Sequence, residues 1–231
     1  LGTMALADAA KEAEVELFIH ASTSEVYGNQ TEFPIKETAS LNATSPYAVA
    51  KIAAEEYLRV KAASDGLRVL IMRPFNSYGR GLIGNRHFVV ERAITQALET
   101  QKIKLHNPEP RRDFVFREDH VSAYVNAVDL VIDDRTLLLA GEAINIATGV
   151  CWTIRDMAEH VRHAAFAKGV RGVKFSFTEV PDRPHDIARL HGDNAKAQEL
   201  LGWKPNFNLS SGLSLALDEW TQALAPSPST A

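Results

Sequence analysis

A chain of 231 residues, 45% of them hydrophobic, carries enough apolar material for one large domain or two small ones. Its formal net charge of -4 excludes a general attraction to nucleic acid or anionic membrane, so an anionic ligand must be met by local arginines. The single cysteine, Cys151, excludes an internal disulfide framework; no apolar run approaches the ~18 residues of a membrane span, and the charged start (Asp8, Lys11, Glu12, Glu14) is no secretion signal, so the expected location is cytoplasmic.

In chain order, residues 2–12 read as an alanine-rich helix and residues 15–22 as a buried strand. Thr23 and Glu25 then fall at the strand's C-terminal end, the edge where open α/β sheets hold ligands. A polar loop over 28–44 follows, with Pro34 inside it. Ser45 can cap, and Pro46 open, a helix over 46–64. Tyr47 and Lys51 share one face of that helix, because side chains four residues apart are neighbours. An ammonium beside a phenol favours the phenolate, whose acid starts from a pKa of about 10, and tyrosine becomes a usable base.

Residues 67–75 are nearly continuous in apolar side chains, as a parallel strand should be. A helix is expected over 86–100, strands over 103–105 and 113–117, and a helix over 118–133 capped near Glu118 or Asp119. Then come a strand over 143–147, a helix over 153–167, an alternating strand over 173–178 and helices near 193–201 and 210–224. The Pro-Ser-Pro-Ser tail is expected to be disordered. Alternating helices and strands argue for an α/β fold with a parallel sheet. Gly79-Arg80-Gly81-Leu82-Ile83-Gly84 matches the spacing of a dinucleotide loop. That loop needs its first glycine in the turn directly after the strand, whereas Asn76, Ser77 and Tyr78 intervene here, so the match is read as coincidental.

Five segments carry a resemblance: Ser22-Thr23-Ser24-Glu25-Val26-Tyr27-Gly28, Ser45-Pro46-Tyr47-Ala48-Val49-Ala50-Lys51, Arg73-Pro74-Phe75-Asn76-Ser77-Tyr78-Gly79, Arg112-Asp113-Phe114-Val115-Phe116-Arg117-Glu118-Asp119 and Asp182-Arg183-Pro184-His185-Asp186. In order and spacing they resemble the extended short-chain dehydrogenase/reductases, specifically the NAD-dependent nucleotide-sugar epimerase/dehydratase group, from residue 2 to about Trp220. The resemblance implies a Rossmann-like parallel sheet with a smaller interleaved C-terminal substrate-binding domain. Residues 1–80 would be the C-terminal part of the NAD-binding domain, and 81–231 mainly a sugar-nucleotide cap, with 113–147 returning to the sheet. Family members carry a glycine-rich βα unit before this point, and its absence ahead of Leu1 motivates a reading of another class, a non-catalytic sugar-nucleotide-binding protein.

By resemblance, Tyr47 takes the proton of a sugar 4-hydroxyl as hydride passes to NAD, Thr23 bonds the same oxygen, Lys51 holds the cofactor ribose, and Phe75 lies on the cofactor side. Oxidation to a 4-ketone acidifies the neighbouring C–H, which a positioned carboxylate can then deprotonate; Glu25 is the candidate. Ser24-Glu25 stands where dehydratases often have Asp-Glu, which leaves the leaving-group acid open. The expected activity is a 4,6-dehydratase/epimerase type. The alternatives are a 4-epimerase or, less favoured because Ala43-Thr44-Ser45-Pro46 lacks an arginine before the tyrosine, a decarboxylase. Substrate contacts are expected from Ser24, Asn76, Arg112, Arg183 and His185, with Arg86 from the loop after the Tyr-Gly turn; no metal site is expected. Helices paired as in the resembled family predict a homodimer through Met4, Leu6, Ala53, Ala54, Tyr57, Leu58 and Val60.

Overall fold

The computed structural model describes residues 2–80, 88–132, 141–178, 180–181 and 186–224. In chain order the elements are α1 (Gly2–Glu12), β1 (Phe18–Ala21), a 3-10 turn (Ser24–Tyr27), α2 (Pro46–Asp65), β2 (Val69–Pro74), β3 (Asn76–Tyr78), α3 (Val89–Thr100), β4 (Lys102–His106), β5 (Arg111–Phe116), α4 (Arg117–Ile132), β6 (Glu142–Ile146), β7 (Cys151–Thr153), α5 (Ile154–Ala167), β8 (Lys174–Thr178), β9 (Arg189–Leu190), α6 (Ala195–Leu201) and α7 (Leu209–Leu224).

β2 lies between β1 and β6, parallel to both, with Phe18 opposite Val69 and Leu70 opposite Glu142. A strand covered on both faces needs apolar side chains on both, and Val69, Leu70, Ile71 and Met72 are all fully buried. On one face Val69 and Ile71 pack with Leu58 and Ala62 of α2 and Ala7 of α1. On the other, Leu70, Met72, Ile144 and Ile146 meet Ala123, Ala127 and Leu130 of α4, together with Ala197, Leu201 and Trp203. Ser45 caps α2 by accepting from the Ala48 amide, Pro46 follows, and Gly66 at φ 68 ends the helix.

The second half is organised around β5, which pairs in parallel with β3 and β9 and antiparallel with β7; β4 and β8 form a separate parallel pair. At strand level, the return to the β1–β2 sheet within 113–147 is therefore made by β6, while β5 pairs elsewhere. α3, α5 and α7 enclose the second core around Tyr78, Phe114, Phe116 and Trp220.

Three expectations change in detail. Asp119 is buried and accepts the amides of Asn206 and Phe207, so it anchors a distant segment instead of capping its own helix. Residues 76–78, expected only to intervene before a loop, form β3; Gly81 and Gly84 of the glycine pattern lie outside the described residues, as does the tail from 225. Of the apolar α2 residues expected to face a second subunit, Leu58 is fully buried and Ala54 nearly so in the chain's own core, because both lie on the sheet-facing stripe. Val60 and, on α1, Leu6 remain more than 60% exposed, at 63% and 64%. Among the described residues no helix is long and apolar enough to cross a membrane.

Candidate active site

β1 delivers the chain to the C-terminal edge of the sheet, where it turns at once into the short 3-10 helix. Thr23 caps that turn: its Oγ1 accepts from the Glu25 amide at 3.2 Å, tying the alcohol to the backbone that presents the carboxylate. The turn closes on Gly28 at φ 58, where a Cβ would lie 1.8 Å from the carbonyl oxygen of Asn42, so glycine is required twice over. From the neighbouring helix α2, Lys51 reaches back to β1 and its Nζ donates to the Ala21 carbonyl at 2.6 Å. The same ammonium lies 5.8 Å from the centroid of the half-exposed Tyr47 ring. Burial pulls the Lys51 pKa below its ordinary value, against the opposing influence of the Glu55 carboxylate one turn later.

A cleft of about 650 Å³ opens along this edge. One wall carries Thr23, Ser24, Glu25 and Tyr47; Phe75, Asn76 and Ser77 line it from the strand region after β2; Phe88, Arg112 and Asp186 line it from the second half of the chain. Seven of the residues expected to act here therefore border one space, and Lys51 stands behind Tyr47 at the end of β1. Arg86, Arg183 and His185 lie outside the described residues. Arg112 is half-buried, and burial lowers its pKa while Cys151, Glu25 and Asp186 act in the opposite sense. A guanidinium on the wall of a cleft offers planar, fork-shaped donors to an anion. Among the described residues no group of histidine, cysteine, aspartate or glutamate side chains has the arrangement of a metal site.

Behind the cleft runs a buried polar chain that local sequence spacing did not reveal. Ser22 Oγ donates to Glu55 Oε1 at 2.5 Å, and Arg73 forks onto the same carboxylate through Nε at 3.0 Å and Nη2 at 2.5 Å. Arg73 Nη1 donates to the Tyr27 hydroxyl at 2.9 Å, which donates to Asn145 Oδ1 at 2.6 Å, and Asn145 Nδ2 donates to the Ile35 carbonyl at 2.9 Å. Burial works to raise the Glu55 pKa, but the hydrogen bonds and charge of Arg73 outweigh it and hold the carboxyl below its ordinary value. Burial pushes the Tyr27 phenol up to about 12, so it serves this network as a neutral relay. The chain ties the residue after β1 and the 3-10 turn to α2, β2 and β6.

A family profile described as GDP-mannose 4,6 dehydratase matches residues 1–215. A UDP-glucose 4-epimerase of Mycolicibacterium smegmatis is 32% identical over 94% of this chain and 66% of its own length. A GDP-6-deoxy-D-mannose reductase of Pseudomonas aeruginosa is 30% identical over 95% of this chain and 71% of its own length. Among solved structures, a UDP-glucuronic acid 4-epimerase mutant of Bacillus cereus in complex with UDP-4-deoxy-4-fluoro-glucuronic acid and NAD superposes with a TM-score of 0.83 at 26% identity, over 96% of this chain and 66% of that one. The chain thus spans about two thirds of the length of the proteins it matches.

Proposed function

The chain belongs to the GDP-mannose 4,6 dehydratase family, among the NAD-dependent nucleotide-sugar epimerases and dehydratases of the extended short-chain dehydrogenase/reductases, and from that premise we propose that it is a nucleotide-sugar 4,6-dehydratase-type enzyme. The observation that carries this reading is Glu25 lining the same cleft as Tyr47, Thr23 and Arg112. Residues 1–80 carry the chemistry in this reading, and 81–231 mainly hold the sugar nucleotide.

The residues fit one end of a nicotinamide dinucleotide. Among the described residues Lys51 makes one hydrogen bond, to Ala21, leaving donors for a ribose hydroxyl, and the flat, buried ring of Phe75 borders the space beside Tyr47. Bound NAD supplies an acceptor for hydride. Tyr47, close to the Lys51 ammonium, removes the proton of the sugar 4-hydroxyl, and Thr23 holds that oxygen through its hydroxyl. The resulting 4-ketone acidifies the adjacent carbon, and Glu25 takes the proton there as the 6-hydroxyl leaves as water; a proton given back at that carbon from Glu25, together with return of the hydride from bound NADH to C6, would complete a 4-keto-6-deoxy product. Ser24 and Asn76 contact the sugar, and Arg112 grips the diphosphate with its planar fork, aided by Arg183, His185 and Arg86 from their motifs. The protein works in the cytoplasm as a homodimer through the exposed faces of α1 and α2, a reading supported by the exposure of Leu6 and Val60.

A 4-epimerase would share Tyr47, Thr23 and Lys51 but give Glu25 no proton to remove. Incubating the intact protein with NAD and nucleotide hexoses in deuterated water separates the two. A 4-keto-6-deoxy product carrying solvent deuterium is expected. Inversion at the 4-position without exchange would replace elimination with epimerisation, and binding of the sugar nucleotide without any turnover would favour a non-catalytic binding protein.

A further inference from the structure

Ser77, on β3, lines the cleft and was given no role by its sequence context. Its Oγ lies 2.6 Å from Nδ1 of His120, in the first turn of α4. Among the described residues the other ring nitrogen of His120, Nε2, is buried without a partner, and the ring packs against Tyr124 with centroids 5.3 Å apart. Burial also lowers the His120 pKa, which favours the neutral ring.

A neutral imidazole has one N–H and one acceptor nitrogen. Were the proton on Nε2, a buried donor would be orphaned, an arrangement that folded proteins tolerate least. On Nδ1, the proton is satisfied by Ser77 Oγ and only an acceptor goes without a partner. Ser77 then spends its oxygen on His120 and has its own hydrogen to offer to the cleft. The preceding residue, Asn76, also lines this space, and among the described residues its buried Oδ1 has no hydrogen-bond partner. A donor and an acceptor on adjacent residues suit a hydroxyl, which can accept from one and donate to the other. A phosphate oxygen only accepts and would leave the Asn76 Oδ1 without a donor.

We propose that Ser77 is a ligand-binding, specificity-determining residue, its hydroxyl aimed by the Nδ1–H of His120 at a hydroxyl of the sugar, with Asn76 as the accepting partner. The proposal rests on the nucleotide-sugar reading for the class of ligand, and on the local geometry for the orientation of Ser77.

Two measurements test it. Nitrogen-15 spectra of histidine-labelled protein at pH 7, assigned with a His120→Gln variant, should show His120 protonated at Nδ1 and bare at Nε2; an Nε2–H tautomer or an imidazolium would overturn the orientation. In equilibrium titrations with UDP-glucose, GDP-mannose and dTDP-glucose and with the matching diphosphates, Ser77→Ala should weaken the sugar nucleotide that binds wild type by about tenfold, the loss of one well-placed hydrogen bond. The diphosphate should change less than about twofold, and Ser77→Thr, which keeps the hydroxyl, should restore most of the affinity. Equal loss for sugar nucleotide and diphosphate, or loss for neither, overturns the assignment. If wild type binds none of the sugar nucleotides, the functional reading and the proposed ligand fail together, while the tautomer result still decides how Ser77 is held.

Discussion

Glu55 is fully buried and carries no role in the proposed chemistry, yet three side chains, Ser22, Arg59 and Arg73, converge on its carboxylate. Removing one partner of a buried pair leaves the other charge without compensation, which is far worse than exchanging both for apolar groups. Glu55→Gln should therefore lower the unfolding free energy by about 3–5 kcal/mol in urea denaturation, whereas Glu56→Gln, one position along on the exposed side, should change it by less than about 0.5 kcal/mol. Similar losses for both would show that the buried pair contributes nothing special. Thr23 and Glu25 at a strand end, and Tyr47 and Lys51 along one helical face, were legible as two pairs from short local spacings, and the order and spacing of the motifs joined them into one expected site. The Arg73–Glu55 and Ser77–His120 contacts were not, since their partners stand 18 and 43 residues apart and meet only through the sheet.

α2 explains both a success and an error of sequence reasoning at the level of elements. Its caps, Ser45 with Pro46 and Gly66, have local chemistry that can be read directly, and so do the capping-box residues Thr153 and Asp156 of α5. Its apolar residues are more numerous than one face requires, and composition alone cannot say which of them look inward. Helical geometry divides them: Ala54, Leu58 and Ala62 face the sheet, while Val49, Ala53 and Val60 face outward. Leu58→Ala should accordingly cost about 2–5 kcal/mol of stability through an internal cavity, whatever the assembly state. Val60→Asp should leave the unfolding curve within about 0.5 kcal/mol and convert the proposed dimer to a monomer in sedimentation. Wild type that is already monomeric at micromolar concentration, or a Val60→Asp protein of unchanged mass, would remove α2 from the interface. The strands β3, β7 and β9 escaped prediction because two or three residues are too few to establish a period of two.

At the scale of the whole molecule, the apolar run over 67–75 and the alternation of helices and strands pointed to a parallel sheet, whereas β5 gathers β3, β7 and β9 from distant parts of the chain, a pairing that no local pattern encodes. The same burial gives the fold a defined pH response. His20 and His120 have pKa values lowered chiefly by desolvation, with Lys51 adding to the effect at His20. The unfolded chain therefore binds more protons than the folded one as pH falls through the ordinary histidine range, and stability must decrease with acidification. Asp113, pushed up to about 6 by burial, acts with opposite sign, since the folded form takes its proton first, and its influence begins near pH 6. The urea midpoint should thus fall between pH 7.5 and pH 6, with a shallower fall in His20→Asn; a midpoint that rises over this interval would contradict the assignment of buried neutral histidines. In the proposed reaction Glu25 is the base that acts after the 4-hydroxyl has been oxidised. The direct measurement is a single turnover by the intact Glu25→Gln protein with NAD and its nucleotide hexose in deuterated water. Reduced nicotinamide should still appear, while deuterium uptake and elimination fall by about 10²–10⁴-fold relative to wild type. Elimination with full deuterium uptake at the wild-type rate would contradict it.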